Sequence, residues 1–118
     1  SRFRVNLFRQ HRGAGAVFRN LAAELVSLER LKLPEVVARV TELRSGLVLV
    51  TGPTGSGKST TLAAIISEMN RRRPMHFITV EDPVEFVHDN QRALVSQREV
   101  GTHVEGFAPA VRAALRAG

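Results

Sequence analysis

Apolar positions along the 118-residue chain change period several times, and each change marks an element. At the start Phe3, Val5 and Leu7 alternate with Arg4, Asn6 and Phe8, and a second apolar stretch runs from Ala14 to Phe18. This predicts a hairpin with its turn around Gly13–Gly15. Two strands alone are marginal in water, so the hairpin belongs to a larger sheet or packs on other parts of the chain. Asn20–Leu33 is leucine-rich and reads as a linker or a short helix. After Pro34, the residues Val36, Val37, Val40 and Leu43 share one helical face, Glu35 and Arg39 stand four apart, and Gly46 supplies a stop.

Leu47–Thr51 is a continuous apolar run of the kind found in strands buried on both faces. A glycine-rich loop follows, and Leu62, Ile65, Ile66 and Met69 then have helical spacing up to Arg71-Arg72-Arg73-Pro74. Met75–Val80 is a second apolar strand. Strand, loop, helix and strand predict a right-handed βαβ unit with its two strands parallel. Beyond Val80 come the carboxylates Glu81, Asp82 and Glu85, a turn at Asp89-Asn90 and a short strand from Ala93 to Gln97. In a final helix Phe107, Val111, Ala114 and Leu115 share a face.

Composition narrows the chemistry. The chain has no Cys, which excludes disulfides, thiolate metal sites and cysteine nucleophiles. Its longest apolar run, Leu47–Val50, is far below the ~20 residues of a membrane span, and no signal peptide opens the chain, so the cytosol is the default compartment. The net charge of +6 is nearly all arginine. Arg2, Arg4, Arg9, Arg12 and Arg19 fall in an opening segment with no acid, which calls for an anionic partner: phosphate, nucleic acid or acidic protein.

The glycine-rich loop is the sharpest chemical signal. Gly52-Pro53-Thr54-Gly55-Ser56-Gly57-Lys58-Ser59 matches G-x-x-x-x-G-K-[ST] at every fixed position, after a predicted strand and at the start of a predicted helix. Polyphosphate needs convergent donors, and backbone N–H groups turn inward only where side chains do not obstruct them; Gly52, Gly55 and Gly57 give that freedom. The helix start adds partial positive charge. Lys58 is placed for the β- and γ-phosphates, Ser59 for Mg²⁺, and Thr60 for the α-phosphate end. A dinucleotide fingerprint fails, because its third glycine falls on Thr60.

The carboxylates at the end of the second predicted strand lie where open α/β sheets bind ligands. One of them can hold Mg²⁺ or its water shell and another can orient an attacking water. The catalytic candidates are therefore Lys58, Glu81 and Glu85, and the metal candidates Ser59, Glu81 and Asp82. The plainer reading of Glu81–Glu85 is a solvated turn broken by Asp82-Pro83. His11, His76, His88 and His103 have no metal-ligand spacing, although His88 lies near the carboxylates. Arg71–Arg73 suit a helix C-terminus.

The runs Gly46–Ala64, Ile78–His88 and Gln97–Gly101 resemble the secretion-ATPase superfamily that powers type II secretion and type IV pili. Arg2–Gln10 with Gly13–Arg19 is most similar to its pilus-retraction branch, the PilT-type twitching-motility ATPases. The resemblance implies an α/β fold: a P-loop NTPase with a RecA-like core, truncated, preceded by the terminal β-hairpin of a PAS-like N-terminal domain. Residues 1–20 would be that hairpin, 21–33 a linker and 34–118 the first part of the ATPase domain. It also implies a hexameric ring that binds ATP and Mg²⁺, works at the cytoplasmic side of the inner membrane against a pilus platform protein, and neither inserts in the membrane nor binds nucleic acid. Glu81–Glu85 would be the family's aspartate box, and Arg2, Arg4 and Arg19 candidate arginine fingers acting across a subunit boundary. Two features depart from the family pattern. Gly101-Thr102-His103-Val104 is unlike the expected Gly-Arg-Asp-Thr type, and the Walker B glutamate and histidine box are missing, so the chain reads as a fragment inactive alone. Alternatives are an extension or secretion ATPase of the same superfamily, a P-loop kinase, or a nucleic-acid translocase.

Overall fold

The computed structural model describes residues 2–20, 24–103 and 105–116. The alternating N-terminal segment forms the expected hairpin. Strand β1 (Phe3–Gln10) pairs antiparallel with β2 (Gly13–Asn20), from Phe3↔Asn20 to Gln10↔Gly13. The turn is His11–Arg12, slightly earlier than the predicted glycines. Its register sets Arg4 directly opposite Arg19. Like charges facing each other across a ladder are unfavourable, so the hairpin holds a concentrated positive spot at a cost in its own stability. Its apolar side chains are exposed, Leu7 at 78% and Phe18 at 65%.

Two short helices follow within the segments read as linker and helix. In α1 (Leu28–Leu31) the Ser27 hydroxyl caps the first turn by accepting from the Arg30 N–H at 3.3 Å, and Lys32 closes the helix in the left-handed region. Residues 21–23, the start of the predicted linker, lie outside the described residues. Helix α2 (Glu35–Val40) begins after Pro34 as expected but stops short of Gly46. The N–H groups of Thr41, Glu42 and Leu43 donate to carbonyls three residues back, which tightens and ends the helix. The predicted apolar face is not buried: Val36 is 64% and Leu43 50% exposed, and α2 has no buried residue.

The expectation of a strand at Leu47–Thr51 is corrected. This segment has no ladder partner among the described residues, and Leu47 and Leu49 are 83% and 74% exposed. A strand exists through pairing, and apolar character alone does not supply a neighbour. The predicted βαβ unit is therefore not closed around the loop. The parallel pair is formed instead by β3 (His76–Glu81) and β4 (Leu94–Glu99), in register from His76↔Leu94 to Glu81↔Glu99. The final strand thus runs further than the predicted Ala93–Gln97.

Between hairpin and sheet in the sequence lies α3 (Lys58–Arg72), the longest described helix, which buries Ala63, Ala64 and Ile65; Val84, Phe86, Ala93 and Ala110 are the other buried apolar residues. Its predicted apolar face is only partly inward: Ile65 is buried while Leu62 is 43% exposed. The arginines at its end do more than answer the helix dipole. Glu68 pairs with Arg71 at 2.7 Å and Arg72 at 2.5 Å. Arg73 donates to the carbonyls of Thr41 at 3.2 Å and Leu43 at 2.8 Å, tying α3 to the end of α2. In α4 (Phe107–Arg116) the predicted stripe is also corrected: Ala110 is the buried residue, and Phe107, Val111 and Leu115 are more than half exposed. No described helix is long and apolar enough to cross a membrane.

The connection from β3 to β4 contains no helix among residues 82–93, which is unusual for a parallel crossover. It is held by α3 instead. Asn70, 1% exposed, donates through Nδ2 to the Asp89 carbonyl at 2.6 Å and accepts the Gln91 N–H on Oδ1 at 3.2 Å. Its own carbonyl accepts from the N–H groups of Arg92 and Ala93. Replacing Asn70 with Ala removes the side-chain partner of the Asp89 carbonyl and of the Gln91 N–H and leaves a gap at a fully buried position. The expected loss is about 2–4 kcal/mol of unfolding free energy, read as a lower urea midpoint. Asn70→Ser, which keeps one polar partner, should lose less.

Candidate functional site

The glycine-rich loop is a tight, internally bonded turn. Its turn is closed from within, the Ser56 N–H and hydroxyl both reaching the Pro53 carbonyl, at 3.2 and 2.7 Å. At Gly52 a Cβ would sit 2.7 Å from the Ser56 Oγ, so a larger residue would displace the hydroxyl that closes the turn. Gly57 is the N-cap of α3 with φ 93, a left-handed conformation that an L side chain resists, and no side chain caps the helix. The first-turn N–H groups of α3 therefore have no side-chain acceptor and are left to a ligand. Lys58 folds back along the loop, its Nζ donating to the carbonyls of Gly52 at 2.5 Å and Pro53 at 2.8 Å. Backbone donors, a helix start and one ammonium fit a polyphosphate.

The structure brings the carboxylate loop to this place. Glu85 lines the same cleft as Thr54, Gly55, Gly57, Lys58 and Thr60. Ser59 and Glu85 also line an adjoining cavity of about 380 Å³, which Glu81 and Asp82 share with the apolar side chains of α3. The separation in sequence between residues 52–60 and 81–85 is thus closed by the fold. Glu81 is held in place: its Oε2 accepts the Thr79 hydroxyl at 2.9 Å and the Gln97 amide at 3.1 Å. Among the described residues no group of three His, Asp or Glu side chains is arranged to hold a metal. Ser59, Glu81 and Asp82 nevertheless line one cavity, and a hydroxyl with carboxylates is the oxygen chemistry that Mg²⁺ takes when it binds through one or two protein oxygens plus substrate phosphates. Ser59, Glu81 and Asp82 are the residues that would hold it or its waters.

His88 is the histidine that reaches this region. It is buried, it lines the cavity beside Glu81, and its Nδ1 has no hydrogen-bond partner among the described residues. Burial lowers its pKa below the ordinary histidine value, partly opposed by the charge of Glu81. The unfolded chain therefore binds a proton more readily than the native state as pH falls through about 6.5. The stabilising contribution is complete above that value and is lost as pH drops toward the lowered native pKa. Unfolding midpoints should fall between pH 7.5 and 5.5, and His88→Leu should flatten this dependence; an equal slope in the variant would disprove the assignment. The other shifted group, Glu99, acts at more acidic pH, because its carboxyl is lowered from the ordinary carboxylate range.

The hairpin arginines separate. Arg2 and Arg4 line a cleft with Asp82, Pro83 and Glu99 of the same chain. Arg19 sits across the ladder from Arg4 and does not line that cleft. Two residues that sequence reasoning passed over occupy the centre of the carboxylate loop: Gln97 and Glu99 on β4. Glu99 accepts the Val84 N–H on Oε1 at 2.9 Å and the Thr102 hydroxyl on Oε2 at 3.1 Å. These bonds lower its pKa, and Arg2 and His103 add to the effect. No sequence signal singled them out, because Ser96, Gln97, Arg98 and Glu99 are four consecutive polar residues of the strand.

The chain is similar to known proteins along its whole length. It is 54% identical over 116 residues to the type IV pilus retraction ATPase PilT of Pseudomonas aeruginosa, covering 98% of this chain and 34% of that protein. It is 52% identical over 116 residues to a twitching motility protein of Neisseria gonorrhoeae, covering 98% and 31%. Among solved structures, the pilus retraction motor PilT with bound ADP superposes with a TM-score of 0.91 at 47% identity, covering 97% of this chain and 33% of that one. The ATPase DotB of Legionella pneumophila superposes at 0.84 with 33% identity, covering 98% and 34%. The chain therefore spans about a third of the length of the relatives it matches. These likenesses support the mixed α/β fold and the resemblance drawn from the sequence. With the type II/IV secretion system protein family matching residues 1–118, the chain belongs to that family.

Proposed function

We propose that this chain is the nucleotide-binding part of an ATP-hydrolysing motor that retracts type IV pili. The observation that carries the reading is the meeting of two loops, Gly52–Thr60 and Glu81–Glu85, across Ser59 and Glu85. Similarity to pilus retraction ATPases, one of them solved with ADP, supports it.

In this reading the backbone N–H groups of the loop and the start of α3 hold the β- and γ-phosphates, with Thr60 at the α-phosphate end. Lys58 neutralises charge that builds on the transferring phosphoryl group. Ser59, Glu81 and Asp82 would hold Mg²⁺ or its waters, and the ion would supply Lewis-acid polarisation of the phosphate oxygens. Glu85, which lines both clefts, is placed to orient the water that attacks the γ-phosphorus. Arg2, Arg4 and Arg19 are the candidate arginine fingers and would act across a subunit boundary; within their own chain Arg2 and Arg4 line a cleft with Asp82 and Glu99. The two described parts correspond to the end of a PAS-like domain, residues 1–20, and the start of a RecA-like domain, residues 34–118, joined by a linker over 21–33. The assembled protein would be a hexameric ring at the cytoplasmic side of the inner membrane, working against a platform protein of the pilus machine.

The test is Lys58→Ala in the full-length protein. ATP hydrolysis should fall by about 10²–10³-fold, as expected for removal of a charge-stabilising group, and pilus retraction should be lost with it. Retraction preserved alongside abolished hydrolysis, or hydrolysis preserved, would overturn the reading.

A further inference from the structure

We infer that Gln97 and Glu99 are positioning residues for the nucleotide-site carboxylates, acting as a two-rung clamp that fixes which oxygen of Glu81 is presented to the metal and its waters; this rests on the functional reading above.

The argument begins with strand geometry. Gln97 and Glu99 are two apart on β4 and so project from one face of the sheet, beside β3, whose C-terminal end launches the carboxylate loop. The loop folds back over that face and both rungs hold it. Gln97 donates through Nε2 to Glu81 Oε2 at 3.1 Å and to the Phe86 carbonyl at 2.7 Å, and accepts the His88 N–H on Oε1 at 2.9 Å. Glu99 accepts the Val84 N–H on Oε1 at 2.9 Å. The segment from Glu81 to His88 is therefore gripped at four points, with Glu85 inside the grip.

The chemistry of the amide makes the arrangement specific. Rotating the Gln97 amide end for end would set its oxygen against two oxygens and its NH₂ against an N–H, so one orientation satisfies the whole set. In that orientation the donors of Gln97 and Thr79 both fall on Glu81 Oε2. Oε2 is thereby anchored, and Glu81 lines the cavity that Ser59 also lines, so Oε1, which takes neither of these bonds, is the oxygen we infer is offered to the metal and its waters. Outer partners of this type set the direction of a ligand's lone pairs, and their loss commonly costs 10–100-fold in metal affinity or activity.

A double-mutant cycle tests this in the full-length protein. The variants are Gln97→Met, which keeps the length and removes every hydrogen bond, Glu81→Gln, and the two combined. The readouts are Mn²⁺ affinity of the ADP complex by electron paramagnetic resonance, ADP affinity without metal, and kcat and KM for ATP. Gln97→Met should weaken Mn²⁺ binding and lower kcat by about 10–100-fold, with metal-free ADP affinity and KM changed less than about threefold. Because Gln97 acts through Glu81, the combined variant should be little worse than Glu81→Gln alone. Unchanged Mn²⁺ affinity in Gln97→Met, or fully additive losses, would overturn the clamp. If Gln97→Met fails to fold, the second rung decides. Glu99→Gln retains an oxygen for the Val84 N–H and should keep more Mn²⁺ affinity than Glu99→Ala; equal losses count against the proposal. A wild-type protein that binds ADP and Mn²⁺ but does not hydrolyse ATP would remove the functional reading and leave the metal cycle to judge the clamp separately.

Discussion

Two parallel strands cannot be joined by a tight turn, and that constraint organises the functional half of this chain. The chain leaving Glu81 must travel back to start β4 at Leu94, and here it does so without a helix to absorb its backbone hydrogen bonds. Each stretch of the connection has therefore acquired a partner elsewhere. Asn70 on α3 serves the far end at Asp89–Ala93, and Gln97 and Glu99 on β4 serve the near end at Glu81–His88. A carboxylate loop needs such tethering, because charged side chains by themselves give no fixed direction.

The same helix that holds the connection begins at the phosphate loop. Helix α3 thus couples the two halves of the site along one rigid element: Gly57 and Lys58 at its start, Asn70 near its end, and Ala63, Ala64 and Ile65 in the core between them. The burial is modest and built from small residues, which lets the loop over Val84 and Phe86 lie close to the helix. Ser59 and Glu85 meet because both ends of this arrangement are fixed.

The motif on which the proposed chemistry rests was more legible in the sequence than the sheet was. Gly52–Ser59 announces itself because phosphate binding constrains residue types at fixed spacings, and the acids at Glu81, Asp82 and Glu85 follow a strand end, where ligands gather. The hairpin was equally readable from its alternation. What failed had a common cause: apolar runs report a wish for burial and do not name the partner. Leu47–Thr51 is such a run without a paired neighbour among the described residues, and α4 turns Ala110 inward although Phe107 and Leu115 carry the larger hydrophobic signal. The roles of Asn70, Gln97 and Glu99 were hidden because they arise from contacts across many residues, and a polar residue on a strand or helix looks the same in sequence whether it faces water or holds a loop.

Lys58 offers a last consequence. Its ammonium is already bonded to two carbonyls of the loop it belongs to, so on the proposed reading a phosphate would have to replace those carbonyls as its acceptor instead of capturing an idle cation. The loop thereby keeps its shape through its own lysine, and only a ligand with enough negative charge at the right point can win that side chain away. Discrimination between a nucleotide and a weaker anion is in this sense a competition that the backbone of Gly52 and Pro53 takes part in, and the lysine reports its outcome by where it points.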